Sequence, residues 1–266
     1  MKEESTFPDT VQFIKYDDRR RIFIYPAHFY ELFETIDALK DAFEKGALTE
    51  TAYEAELKKL LKTTPELFDA ATLLAELQIN QKNFEAARLT YITALACART
   101  IIHKQFVPGK HRCEWSFLDN RPFLRLLAHY AQFLDAQGEI LQAIPLYEEL
   151  IFINPNDHQL IRIFLATAYV KTSQPERLIE LADRYRNDIH PELALGKVLA
   201  FFQLDEQNQA MKQLKRVAGA QKEYIDELLQ DQADVLPEKR SRYWRSQARF
   251  WIKTKGALDF LRACCG

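Results

Sequence analysis

The chain has 266 residues, 47% of them hydrophobic and 28% charged, with a formal net charge of -2. That describes a folded chain with a real core; it excludes a wholly disordered chain and gives no global charge that would draw nucleic acid or an anionic membrane. Glycine occurs only 7 times, and sheet-rich chains of this size need many positive-φ turns, so helices are favoured.

The start, Met1 to Thr10, is polar, which argues against a secretory signal. From Val11 to Pro26 two short alternating segments carry Val11, Phe13, Ile22 and Ile24 around Asp17 and Asp18. This predicts a small β-hairpin, with an extended arm packed on helices as the alternative. After Pro26 the spacing turns helical through Phe29, Phe33, Ile36 and Phe43, and Gly46 ends that helix. Thr49 is placed to cap a helix carrying Tyr53, Leu57, Leu60 and Leu61. Thr64 and Pro65 open the next, which carries Leu67, Leu73, Leu74 and Leu77.

A repeat follows. Ala87, Tyr91 and Ala94 put small, aromatic and small residues at spacings of four and three. Ala143, Tyr147 and Leu150 repeat the spacing, and Ala210, Leu214 and Val217 repeat it again. Ala143 and Ala210 are separated by about two units of ~34 residues, and the copy between them, with Arg177 or Leu178 at the small position, is degenerate. Ala87 and Ala143 are separated by one unit plus an insertion. A small side chain lets paired helices approach, and the large residue one turn later fills the gap to the next pair.

These residues resemble the tetratricopeptide repeat. The copy from Leu124 to Asp157 carries Leu127, Tyr130, Ala131, Leu134, Gly138, Ala143, Tyr147 and Pro155 at signature positions, with Leu127 where the family has tryptophan. A narrower resemblance lies in Trp115 to Arg125, Asn154 to Asp157, Arg162, Tyr243, Trp244, Trp251 and Thr254 to Leu258. That series looks like the suppressor-of-tumorigenicity-seven group and its bacterial relatives, helical-repeat proteins without an established activity. The implied fold is an all-α, right-handed tetratricopeptide-like α-solenoid with the N-terminal hairpin. Its expected parts are an N-terminal region (1–64), repeat one (65–98), an insertion (99–123), repeats two to four (124–218) and basic, aromatic capping helices (219–266).

The same resemblance implies a concave groove lined by the first helix of each repeat. Its positions are Arg125, Ala128, Gln132 and Asp135 in repeat two. They are Gln159, Arg162, Ala166 and Tyr169 in repeat three, and Glu192, Leu195, Leu199 and Phe202 in repeat four. Arg121, Arg125, Gln132, Gln159, Arg162 and Tyr169 are the expected partner contacts, with Trp115 and Pro122 shaping the insertion. The arginines could clamp a carboxylate or phosphate of an acidic segment, or they could pair internally with Asp119, Asp135, Glu148 or Asp157.

Other chemistry is weakly signalled. His103, His111, Cys113 and Glu114 follow no metal template, and no nucleophile with an ordered base is visible around His111 and Cys113. No metal, cofactor or catalytic residue is expected. The stretch from Pro237 to Lys255 carries Lys239, Arg240, Arg242, Arg245, Arg249, Lys253 and Lys255 among Tyr243, Trp244, Phe250 and Trp251. Capping is the leading reading of this stretch, and binding of nucleic acid or an anionic membrane is the alternative. Cys264 and Cys265 do not make a prenylation box. The four cysteines and the absence of a long apolar run suggest a cytoplasmic protein. Together these features predict a non-catalytic scaffold for a protein or peptide partner.

Overall fold

A computed structural model describes residues 7–103, 105–230 and 240–265. The first six residues of the polar start, Pro237 and Lys239 of the basic stretch, and Gly266 lie outside the described residues. Among the described residues there are two strands, β1 (Gln12–Lys15) and β2 (Arg21–Ile24), and thirteen α-helices. These are α1 (His28–Glu44), α2 (Glu50–Thr63), α3 (Phe68–Asn80), α4 (Phe84–Ile102), α5 (Arg121–Ala136), α6 (Ile140–Ile153) and α7 (Ile161–Lys171). They continue with α8 (Pro175–Arg184), α9 (Pro191–Gln203), α10 (Gln207–Val217), α11 (Lys222–Leu229), α12 (Arg242–Lys253) and α13 (Ala257–Cys265). The fold is therefore an all-α solenoid of the tetratricopeptide kind with a small hairpin. No helix among the described residues is long and apolar enough to cross a membrane.

The chain divides into two compact units. One comprises Met1–Ala136 with Glu148–Gln159, and the other Gln137–Tyr147 with Leu160–Gly266. In the first unit β1 and β2 pair antiparallel, with Phe13 opposite Phe23. The rings of Phe13 and Phe23 meet at 4.8 Å. That register turns Arg21, Phe23 and Tyr25 inward and leaves Ile22 and Ile24 half-buried. The predicted hairpin and its alternation are present, and the pairing of Phe13 with Phe23 puts the odd-numbered residues of the second strand on the buried face. Thr49 caps α2 as its sequence position suggests, its Oγ1 accepting the Ala52 N–H at 3.3 Å. The helix expected to open at Thr64 and Pro65 instead begins at Phe68, after a turn.

The turns between paired helices follow one rule. Gly46, Lys82, Gly138, Ser173, Asp205 and Gly256 each stand in the left-handed region just after the first helix of a pair. Where helix-ending bonds are seen, Ala47, Asn83, Gln174 and Glu206 donate to the carbonyls of Ala42, Gln78, Tyr169 and Phe201, closing the helix by a six-to-one bond. The same turn joins α1 to α2, so the helix-pair pattern reaches beyond the segments whose small residues reveal it, whereas α12 ends on an extended Thr254 before Gly256.

Ala87, Ala143 and Ala210 are fully buried, and Tyr91, Tyr147 and Leu214 beside them are at most 1% exposed. The degenerate pair solves the same problem in reverse. Leu178, on α8, occupies the small position, and the facing helix α9 offers Gly196; a Cβ there would lie 3.4 Å from the leucine methyl. The small residue has moved to the partner helix, which is why the third copy is hard to find by spacing.

Candidate functional site

In the first unit the insertion is an ordered structure. Asn120, completely buried in a short 3-10 turn (Leu118–Asn120), accepts the Phe23 N–H at 3.0 Å. Its amide donates to the carbonyls of Arg21 and Glu114 at 3.2 and 3.0 Å. Arg21, buried under the hairpin, donates to the Gln105 carbonyl at 2.8 Å and reaches the His111 ring nitrogen at 2.8 Å. The other ring nitrogen of His111 accepts the Val107 N–H at 2.9 Å. Burial, then the neighbouring Arg21 charge, lower the His111 pKa. Burial also pushes the Cys113 thiol well up, and a thiol kept protonated is a poor nucleophile. Among the described residues no group of His, Cys, Asp and Glu is arranged to hold a metal ion.

The insertion presents Trp115 to two arginines. Arg121 lies 5.2 Å and Arg125 5.8 Å from its ring, and Arg121 Nε donates to the Trp115 carbonyl at 3.0 Å. Pro122 is buried in the first turn of α5, where proline needs no backbone donor. Arg125 makes a two-pronged pair with Asp69 of α3, at 2.8 and 2.5 Å. One turn on, His129 meets Glu76 at 2.6 Å. These residues, with half-buried Gln132, lie on the first helices of two neighbouring pairs and remain partly open to water. Gln159 donates to the Leu124 carbonyl at 3.2 Å.

In the second unit the corresponding face is filled by the chain itself. The helix α12 packs on α7, α9 and α11. Its residues Tyr243, Gln247, Ala248 and Trp251 are buried, and the Trp251 indole donates to the Tyr243 hydroxyl at 2.9 Å. Gln247 donates to the Thr167 hydroxyl of α7 at 2.8 Å, and Arg242 lies over the Phe164 ring at 5.5 Å. On α9, Glu192, Leu195 and Leu199 are buried; Phe202 meets Phe260 of α13 at 5.2 Å, and Gln203 donates to Thr254 at 3.3 Å. These are the groove positions that the repeat resemblance assigns to the fourth copy.

In the third copy the expected groove positions are engaged within the chain. Ala166 is fully buried and Tyr169 nearly so, with Arg177 over the tyrosine ring at 5.0 Å. Arg162 is paired with Asp188, which also accepts from the His190 ring and backbone. Burial works to raise the Asp188 pKa, but these hydrogen bonds overcome it and hold the carboxyl below its ordinary value. Thr167, one position on from Ala166, is the residue that meets α12. Both arginines thus have acidic partners within the chain: Arg125 pairs with Asp69 of α3, and Arg162 with Asp188 in the turn between α8 and α9.

A family model described as "Transcriptional repressor TCF25" matches residues 46–251, well over half of the chain. The chain belongs to the Tcf25 family. That match runs from just before α2 to Trp251 of α12 and covers most of the residues that suggested the suppressor-of-tumorigenicity-seven group, but it gives a different family and does not support that resemblance. No match is found among curated proteins. A tetratricopeptide repeat protein from Parabacteroides merdae is 16% identical, with a TM-score of 0.54 over 86% of this chain and 75% of that one. That likeness shows the fold alone. Two further similar structures are YrrB, a tetratricopeptide protein described as having an unusual peptide-binding site, and BtubC from P. vanneervenii. YrrB is 12% identical with a TM-score of 0.49, covering 74% of this Tcf25-family chain and 86% of its own. BtubC is 15% identical with a TM-score of 0.44, covering 88% and 87%.

Proposed function

We propose that this Tcf25-family chain is a non-catalytic, cytoplasmic scaffold that holds a partner protein segment on the α3–α5 face of its first unit. Arg121, Arg125 and Gln132 are the contacts, and Trp115 sets the two guanidiniums. The observation that carries this reading is the difference between equivalent faces. The second unit's face is covered by α12, whereas the first unit's face keeps half-open arginine, glutamine and histidine side chains. An acidic segment suits it, because Arg121 is held by a carbonyl rather than a carboxylate. Gln159, Arg162 and Tyr169 then support the helix pairs through their intramolecular contacts. In a family described as transcriptional repressors, such a scaffold would join a repressor to the proteins it works with.

The test must separate recognition from folding, since Arg125→Glu would set two acids against each other. The double swap Asp69→Arg with Arg125→Asp keeps the pair but moves its positive end. Retained thermal stability with loss of partner capture is the expected result. Unchanged capture would remove this face from the function.

A further inference from the structure

The outer face of α12 carries a row of cations, of which Arg245, Arg249 and Lys253 meet no carboxylate among the described residues. From Arg240 to Lys255 the sequence holds Arg240, Arg242, Arg245, Arg249, Lys253 and Lys255 and no Asp or Glu. Elsewhere surface cations on helices are often matched within a turn, as in Lys45–Asp41, Lys58–Glu54, Lys222–Asp226 and Arg262–Asp259. Arg245, Arg249 and Lys253 have no ion pair among the described residues. With Arg242 and Ile252 they occupy one exposed stripe, while Tyr243, Gln247, Ala248 and Trp251 on the other side are buried.

That burial fixes the stripe. A helix pinned by Trp251 and Tyr243 presents its cations over about 16 Å of helix length without having to fold on binding. It also separates two kinds of anionic surface. An amphipathic helix that enters a membrane needs its aromatic face free, and here that face is buried within the unit. What remains outside is a row of arginines edged by half-buried Trp244 and Phe250, with Arg249 lying 4.6 Å from the Phe250 ring. A cationic track beside aromatic rings suits a single-stranded nucleic acid, whose phosphates follow the track while its bases stack at the edge.

We propose that the exposed stripe Arg242, Arg245, Arg249 and Lys253 binds the phosphate backbone of single-stranded nucleic acid. This is independent of the partner-binding face of the first unit, so either can fail alone. The experiment titrates the full chain against a fluorescent oligouridylate across a range of salt. Four phosphate contacts give a slope of log K against log salt of about -2.8, from about -0.7 per contact. Arg245→Glu with Arg249→Glu, both at exposed positions, should weaken binding at least about tenfold and flatten the slope by about 1.4. The melting temperature should stay unchanged. Absence of binding at low salt, or a double variant that binds as the original does, overturns the proposal. Tighter association with phosphatidylserine vesicles than with the oligonucleotide also overturns it, as does equal competition by polyglutamate at matched charge.

Discussion

The two units use the same helix-pair element to opposite ends. In the first, α3 and α5 present polar pairs that water still reaches, the Arg125–Asp69 ion pair and the His129–Glu76 contact. In the second, α7 presents Thr167 to α12, α9 presents Phe202 to α13, and Leu195 and Leu199 of α9 are buried. The difference follows from side chains. A face of leucine and phenylalanine is too apolar to leave open and recruits an aromatic helix, whereas a face of paired charges is costly to cover and cheap to leave in water. A repeat architecture alone therefore does not fix where a ligand binds; residues at equivalent positions decide which face is already taken.

Removing the cover should have the largest effect. Trp251→Ala deletes a fully buried side chain and the donor to Tyr243, and should cost about 3–5 kcal/mol in chemical denaturation. Loss confined to a fraction of that would mean α12 is only loosely attached. A smaller effect of opposite sign tests the turns. Ser173 adopts the left-handed conformation that Gly46 and Gly138 adopt without strain, so Ser173→Gly should stabilise the second unit by up to about 1 kcal/mol. No gain would show that the serine's turn is relaxed in some other way.

The smallest effects are titrations, and they run in opposite directions. His111 has a lowered pKa, so its contribution to the first unit is present above the ordinary histidine value of 6.5 and is lost as pH falls below it, where the unfolded chain takes up the proton first. Burial raises the Glu192 pKa above its ordinary 4.5, so its contribution to the second unit is present below that value and is lost as pH rises through the raised one. Glu192→Gln should therefore stabilise the protein at neutral pH, and acidification from pH 7.5 to 5.5 should destabilise this variant more than the original. Identical pH profiles for the two would contradict the assignment of Glu192.

Local patterns were legible from residues alone. Thr49 as a cap, Gly46 as a helix stop, the hairpin and the alanine–aromatic spacing all depend on neighbours within a few positions. What was not legible depends on distance. Asp69 reaches Arg125 and Asp188 reaches Arg162 only once helices stack. The third copy hides because its small residue is Gly196 on the facing helix. The place of α12 is a property of the whole second unit; its amphipathic sequence says that one face will be buried but not against which helices.

The central claim is that the partner uses the first unit while α12 stays in place on the second. The most direct measurement is partner capture by full-length protein in which Thr167→Cys and Gln247→Cys are bridged by a short bismaleimide, with Cys264 and Cys265 replaced by serine. Locking α12 in this way should leave capture unchanged, while Asp69→Arg with Arg125→Asp in the same background should abolish it. Capture lost on locking and kept after the swap would place the binding face in the second unit and contradict the claim.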